Sequence, residues 1–149
     1  MMNIKVHRGL EQIGGCITEI STATSRVFID FGQNLPGNGE ATTPEQDRLM
    51  VENIFATNAK KHEAVFYTHG HEDHVGLFEY IPPYVPQYMS DGTKELLLIK
   101  YRTLKEGVEL SLAQLQNDSN SIKEQIEEEI FKKSNAENKI KIIARMNSW

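Results

Sequence analysis

A short apolar run, Ala64-Val65-Phe66-Tyr67, passes directly into Thr68-His69-Gly70-His71-Glu72-Asp73-His74. Bounded by polar residues, the run reads as a buried strand that ends at His69. Three of the five histidines of the chain, with an aspartate among them, fall within residues 68–76. Histidines two apart cannot share one face of a regular helix. In a turn at a strand end His69 and His71 can converge, and Asp73 and His74 then lie where a following helix would begin. Gly70 lets the backbone fold tightly between these side chains, and Gly76 allows close packing after them.

The surrounding pattern predicts a mixed α/β (α+β) arrangement. Residues 4–7, 16–20 and 26–31 read as strands, the last two joined through a polar turn at 22–25 as a hairpin. Residues 32–39 hold three glycines and Pro36 and read as a loop. Thr43 caps a helix over 44–59, with Pro44 in its first position and Gln46 completing a capping box. A short helix over 75–80 is stopped by Pro82-Pro83, residues 84–89 form another strand, and Asp91 opens a helix to 101. Residues 117–121 read as a linker or a kink. Beyond it Ser121 and Glu124 match a capping box, and Ile122, Ile126 and Ile130 give one apolar stripe on a charged helix. Residues 139–144 read as a last strand. The expectation is one domain over 1–149, with a cluster-bearing core at 1–107 and a helical extension at 108–149 ending in a short strand.

The 149 residues fit one domain of ordinary size. The net charge of −5 lacks the basic footprint of a dedicated nucleic-acid module, although a local basic groove on RNA stays compatible with it. The single cysteine, Cys16, excludes an intrachain disulfide and suits a reducing compartment. The first residues lack the features of a signal peptide, and no stretch approaches the roughly 18 apolar residues of a membrane span. A cytoplasmic, soluble protein is expected.

Imidazole nitrogen and carboxylate oxygen are ordinary ligands of zinc and similar divalent ions. The spacing lets one loop feed two adjacent ions, His69 and His71 to the first, Asp73 and His74 to the second. Two ions about 3.5–4 Å apart activate a shared water and clamp an oxyanion, and Asp73 beside that water can accept its proton. The implied reaction is hydrolysis of an ester, amide or phosphodiester bond.

At these residues the sequence resembles the metallo-β-lactamase fold superfamily, whose His-x-His-x-Asp-His signature is matched by His69, His71, Asp73 and His74. Asp30, ending the run Val27-Phe28-Ile29, matches the aspartate that braces the metal loop from behind. Gly9-Leu10-Glu11-Gln12-Ile13-Gly14 and Thr68-His69-Gly70-His71-Glu72-Asp73-His74 are most similar to the ribonuclease J-like branch, whose members process RNA. The resemblance covers about residues 3 to 100 and implies a four-layer αββα sandwich of two similar halves. It also implies two zinc ions, with Mn²⁺ or Fe²⁺ as alternatives, and Asp73 as catalytic residue. Members carry a further histidine, a bridging aspartate and a last histidine later in the chain. Here no histidine follows His74, and Asp91 and Asp118 are the only later aspartates. The chain thus resembles the N-terminal half of such an enzyme, apparently truncated, with an apolar sheet face and strand edge left for a second copy or a C-terminal half.

The function this implies is metal-dependent, ribonuclease-like phosphodiester hydrolysis, with RNA as substrate. A non-catalytic metal- or partner-binding fragment is the alternative, and a thioesterase or glyoxalase-type hydrolase is another within the enzymes. His7 and His62 read as structural or surface residues, and Cys16 as buried and structural. Phe78, Tyr80, Tyr84 and Tyr88 read as packing aromatics rather than a base-stacking surface. Lys94, Lys100, Arg102 and Lys105 read as a solvated helix face, as do Glu124, Glu127, Glu128 and Glu129.

Overall fold

A computed structural model describes residues 1–37, 41–117 and 123–149. The described residues form two compact units, one from Met1–Thr93 with Met146–Trp149, the other from Lys94–Arg145. Among the described residues the fold is α+β, with one mixed sheet and four α-helices.

The sheet unit holds six strands in the order β1 (Asn3–Arg8), β2 (Ile17–Ser21), β3 (Ser25–Ile29), β4 (His62–Phe66), β5 (Gln87–Met89) and β6 (Asn147–Ser148). The first three pair antiparallel, and β3, β4, β5 and β6 run parallel. The expected hairpin is β2–β3, closed where the Thr22 N–H donates to the Ser25 carbonyl at 2.8 Å. Parallel pairing of β3 with β4 needs a crossover, which α1 (Pro44–Ala56) supplies. Its start is the capping box read from Thr43-Pro44-Glu45-Gln46. The Gln46 N–H donates to Thr43 Oγ1 at 3.2 Å, and the Thr43 N–H donates to Gln46 Oε1 at 2.8 Å.

Successive side chains of a strand point to opposite faces. One sheet face carries Ile17, Phe28, Val65 and Met89, all fully buried. Val51, Ile54 and Phe55 of α1 pack against it, with the Phe28 and Phe55 rings 5.1 Å apart. Burying each such side chain contributes about 1.5–3 kcal/mol. The opposite face carries Ile4, Val6, Ile20, Val27, Ile29, Phe66 and Tyr88, none of them fully buried. Phe66 stacks with Tyr88 at 4.9 Å and with Trp149 at 5.9 Å.

A buried arginine ties the α1 crossover to the sheet. Arg26, 2% exposed, donates from Nε to Glu63 Oε1 at 2.6 Å. Its other nitrogens donate to the carbonyls of Ile54, Phe55 and Thr57 at 2.9–3.1 Å. These carbonyls close α1, where helices leave acceptors unsatisfied and favour positive charge.

The second unit is a helical hairpin. α3 (Asp91–Asn117) is far longer than the expected 91–101 helix, and α4 (Lys123–Arg145) runs through residues 139–144, where the sequence suggests a strand. That expectation rests on Ile140, Ile142 and Ile143. In the structure Ala136, Ile140 and Ile143 recur at helical spacing on the buried side, so packing overrides β-propensity. Ile130 is 53% exposed and leaves the expected apolar stripe, which continues through half-buried Ile126 and buried Ala136 instead. Ile122 and the Ser121 cap lie outside the described residues. Lys105 reaches Glu137 at 3.3 Å and Lys133 reaches Glu109 at 3.0 Å, which sets the two helices antiparallel. No helix among the described residues is long and apolar enough to cross a membrane.

Candidate metal centre

β3 and β4 run side by side with Ile29 opposite Phe66, so Asp30 and Thr68 emerge together from the ends of adjacent strands. Asp30 leaves β3 with φ at 63°, in the left-handed region. Aspartate tolerates this conformation better than most residues, at a cost of about 1–2 kcal/mol. The bend is held by Asp30 N–H donating to the Phe66 carbonyl at 2.9 Å. It turns the carboxylate, buried at 3% exposure, onto the segment that follows β4. There the Thr68 N–H donates to Asp30 Oδ1 at 2.7 Å, and Asp30 Oδ2 lies 2.8 Å from His74 Nδ1.

The His-rich segment forms a turn and then a short helix, α2 (Glu72–Val75), followed by a single 3-10 turn at Phe78–Tyr80. The expected 75–80 helix is thus divided and shifted towards the cluster, placing Asp73 and His74 in helical backbone. Backbone bonds lash it to the loop after β3. Phe31 N–H donates to the His74 carbonyl, Gln33 N–H to Glu72 and Leu77 N–H to Phe31, all at 2.8–2.9 Å. Cys16 N–H donates to the Asp73 carbonyl at 3.1 Å.

Glycines make this approach possible. A Cβ on Gly32 would lie 1.7 Å from the Asp73 carbonyl oxygen, and one on Gly14 2.8 Å from Asp73 Cβ. Gly76 plays the close-packing part expected of it, since a Cβ there would meet the Glu72 carbonyl oxygen at 2.5 Å. Arg8 holds the same region from β1. It donates to the carbonyls of Gly15 and Gly32 and pairs with buried Asp47 of α1 at 2.9 Å. Nothing local in the sequence marks Arg8, Gly32 and Asp47, because their partners lie far away in the chain.

The four cluster side chains are brought together. The His69 ring lies 4.0 Å from His74 and 4.7 Å from His71, centroid to centroid. Asp73 Oδ2 lies 3.4 Å from His74 Nε2. His69 and His71 thus meet, as do Asp73 and His74, and the contact of His69 with His74 links the two pairs. Among the described residues no three His, Cys, Asp or Glu side chains already surround a common ion position. The chemistry of the donor set nevertheless suits a divalent ion. An ionised carboxylate only accepts hydrogen bonds, so Asp30 fixes the proton of His74 on Nδ1 and leaves Nε2 as the donor atom, the arrangement in which outer carboxylates orient metal-binding histidines.

Cys16 is half-buried rather than fully buried, in the turn before β2. Burial, and then the charges of Asp30 and Asp73, push its thiol above the ordinary value, so it stays protonated. Tyr67 is raised well above its ordinary value, by burial and then by the Asp30 charge, and donates its hydroxyl proton to Gln87. His7 pairs with Glu19 at 2.9 Å and His62 lies exposed at the start of β4, both away from the cluster. Phe78 is fully buried and Tyr88 is stacked in the sheet, so of the four aromatics only Tyr84 is strongly exposed. A separate open cavity of about 530 Å³, lined by His7, Glu19 and Asn53 among others, includes none of the cluster side chains.

No protein-family model matches the chain. Over 94 residues it is 34% identical to the transcription termination factor FttA of Methanosarcina mazei, a match covering 61% of this chain and 14% of that protein. Over 102 residues it is 30% identical to an RNase J-like protein of Methanocaldococcus jannaschii, covering 68% of this chain and 21% of that one. The chain thus spans about a fifth or less of the length of these curated relatives. A crystal structure of a protein of unknown function from Enterococcus faecalis shares the fold with a TM-score of 0.54 at 24% identity, over 67% of this chain and 28% of the other.

Proposed function

We propose that this chain carries the first part of a metal-dependent nuclease site of the metallo-β-lactamase fold, ribonuclease J-like, acting on RNA phosphodiesters. One observation carries the reading: His69, His71, Asp73 and His74 are gathered at the end of β4 over the buried Asp30 carboxylate. The likeness to an RNase J-like protein supports the same direction. His69, His71, Asp73 and His74 would hold the ion, zinc first, with Mn²⁺ or Fe²⁺ as alternatives. The chemistry that such an ion supplies is a water made nucleophilic near neutral pH and a polarised phosphoryl oxygen. Asp30 keeps His74 oriented through Nδ1. Asp73, whose Oδ2 lies 3.4 Å from His74 Nε2, would accept a proton from an attacking water.

A second reading, a metal- or partner-binding module without hydrolysis, draws on the side chains meeting as pairs rather than as a group of three. The test is zinc stoichiometry together with cleavage of a labelled single-stranded RNA by the purified chain. Zinc-dependent cleavage that is lost in a His71→Ala, Asp73→Ala double variant is expected. Zinc binding without cleavage favours the second reading, and cleavage unchanged in the double variant removes the site from the reaction.

A further inference from the structure

We propose that Thr68 is a positioning residue: its hydroxyl, anchored on Asp30, accepts the Nδ1 proton of His69 and so leaves His69 Nε2 bare for an incoming ion. This rests on the metal-centre reading above and adds a residue that the His-x-His-x-Asp-His pattern does not contain.

A threonine hydroxyl has one hydrogen and two acceptor lone pairs. Thr68 Oγ1 lies 2.8 Å from Asp30 Oδ2, 3.1 Å from Asp30 Oδ1 and 3.0 Å from His69 Nδ1, with His74 Nδ1 further away at 3.5 Å. The carboxylate has no proton to give, so the hydroxyl hydrogen goes to Asp30. What faces the hydroxyl from His69 must then be an N–H. In the other tautomer the hydroxyl would have to donate to His69 and to Asp30 at once, leaving one acceptor against another. The backbone reinforces this arrangement, because Thr68 N–H also donates to Asp30 Oδ1 at 2.7 Å. One buried carboxylate therefore sets two imidazoles, His74 directly and His69 through the Thr68 hydroxyl. Outer hydrogen bonds of this kind typically change metal affinity by about 10- to 100-fold.

The test uses nitrogen-15 NMR of the metal-free chain at alkaline pH, where imidazole is neutral, and zinc competition against a chromogenic chelator. In the wild type and in Thr68→Ser, His69 is expected to carry its proton on Nδ1. In Thr68→Val, His69 should move towards the Nε2–H form, while His74 keeps its Nδ1 proton because its bond to Asp30 is direct. Zinc affinity should fall about 10-fold in Thr68→Val and recover in Thr68→Ser. A wild-type His69 protonated on Nε2 overturns the proposal, as does a Thr68→Val chain with unchanged tautomer and affinity. If Thr68→Val does not fold, the wild-type and Thr68→Ser tautomers decide. A wild type that shows the expected tautomers and binds no zinc fails the metal-centre reading and leaves the hydrogen-bond relay standing.

Discussion

In the sheet unit Arg26 is 2% exposed and its guanidinium spans Glu63 and three carbonyls at the end of α1. In the helical hairpin Lys105 and Lys133 meet Glu137 and Glu109 with about a third or more of each side chain open to solvent. The same kinds of charge thus do different jobs. In the sheet unit they replace lost water with fixed partners, and each partner depends on the others, since an uncompensated buried charge is expensive. On the hairpin, solvent substitutes for any partner that is lost. Asp30 belongs to the first kind, and that is why the candidate metal centre has a fixed floor.

The widest gap between the two regions should appear at Arg26. Arg26→Met is expected to destabilise the chain by about 3–5 kcal/mol in urea unfolding, because Glu63 and the α1 carbonyls lose the guanidinium that bonds them. A loss below about 1 kcal/mol would erase the contrast with exposed pairs.

Glu19 gives a pH-dependent version of the same difference. Burial raises its carboxyl, but hydrogen bonds to His7 and Ser21 and the Arg26 charge outweigh burial, so it sits below its ordinary value of 4.5. A group with a lowered folded pKa stabilises the fold above its unfolded value and stops doing so as pH falls through the folded one. Wild type should therefore be more stable than Glu19→Gln at neutral pH, with the gap closing below pH 4.5. Parallel unfolding curves at all pH values would contradict it. The smallest effect belongs to the hairpin: a double-mutant cycle on Lys105 and Glu137 should return a coupling of about 0.2–1 kcal/mol that shrinks further in salt.

Signals that are local in sequence were the legible ones. Thr43, Pro44 and Gln46 state the start of α1 within four residues, and the 22–25 turn states the β2–β3 hairpin. His69, His71, Asp73 and His74 come together because they are neighbours in the chain, and Asp30 was found through a resemblance. Arg26 reads locally as one polar residue in a strand, and nothing near it says that it closes a helix about thirty residues later. Gly32 reads as a loop glycine, although its role is to let the Asp73 carbonyl approach. Thr68 stands next to the signature and still escaped, since its meaning depends on Asp30, 38 residues away. Residues 139–144 read as a strand because three isoleucines favour one, and only packing reveals their helical period.

The parallel pairing of β3 with β4 also fixes an order of events. The histidines lack the Asp30 carboxylate until residues 62–66 have found residues 25–29, a contact that spans the whole α1 crossover. Loop closure of that length comes late relative to hairpins and helices. On a growing or refolding chain the His-rich segment therefore stays an unorganised string of imidazoles until the sheet closes. The placement of Asp30 beside His74 and Thr68 arrives with this non-local strand pair rather than with the residues themselves.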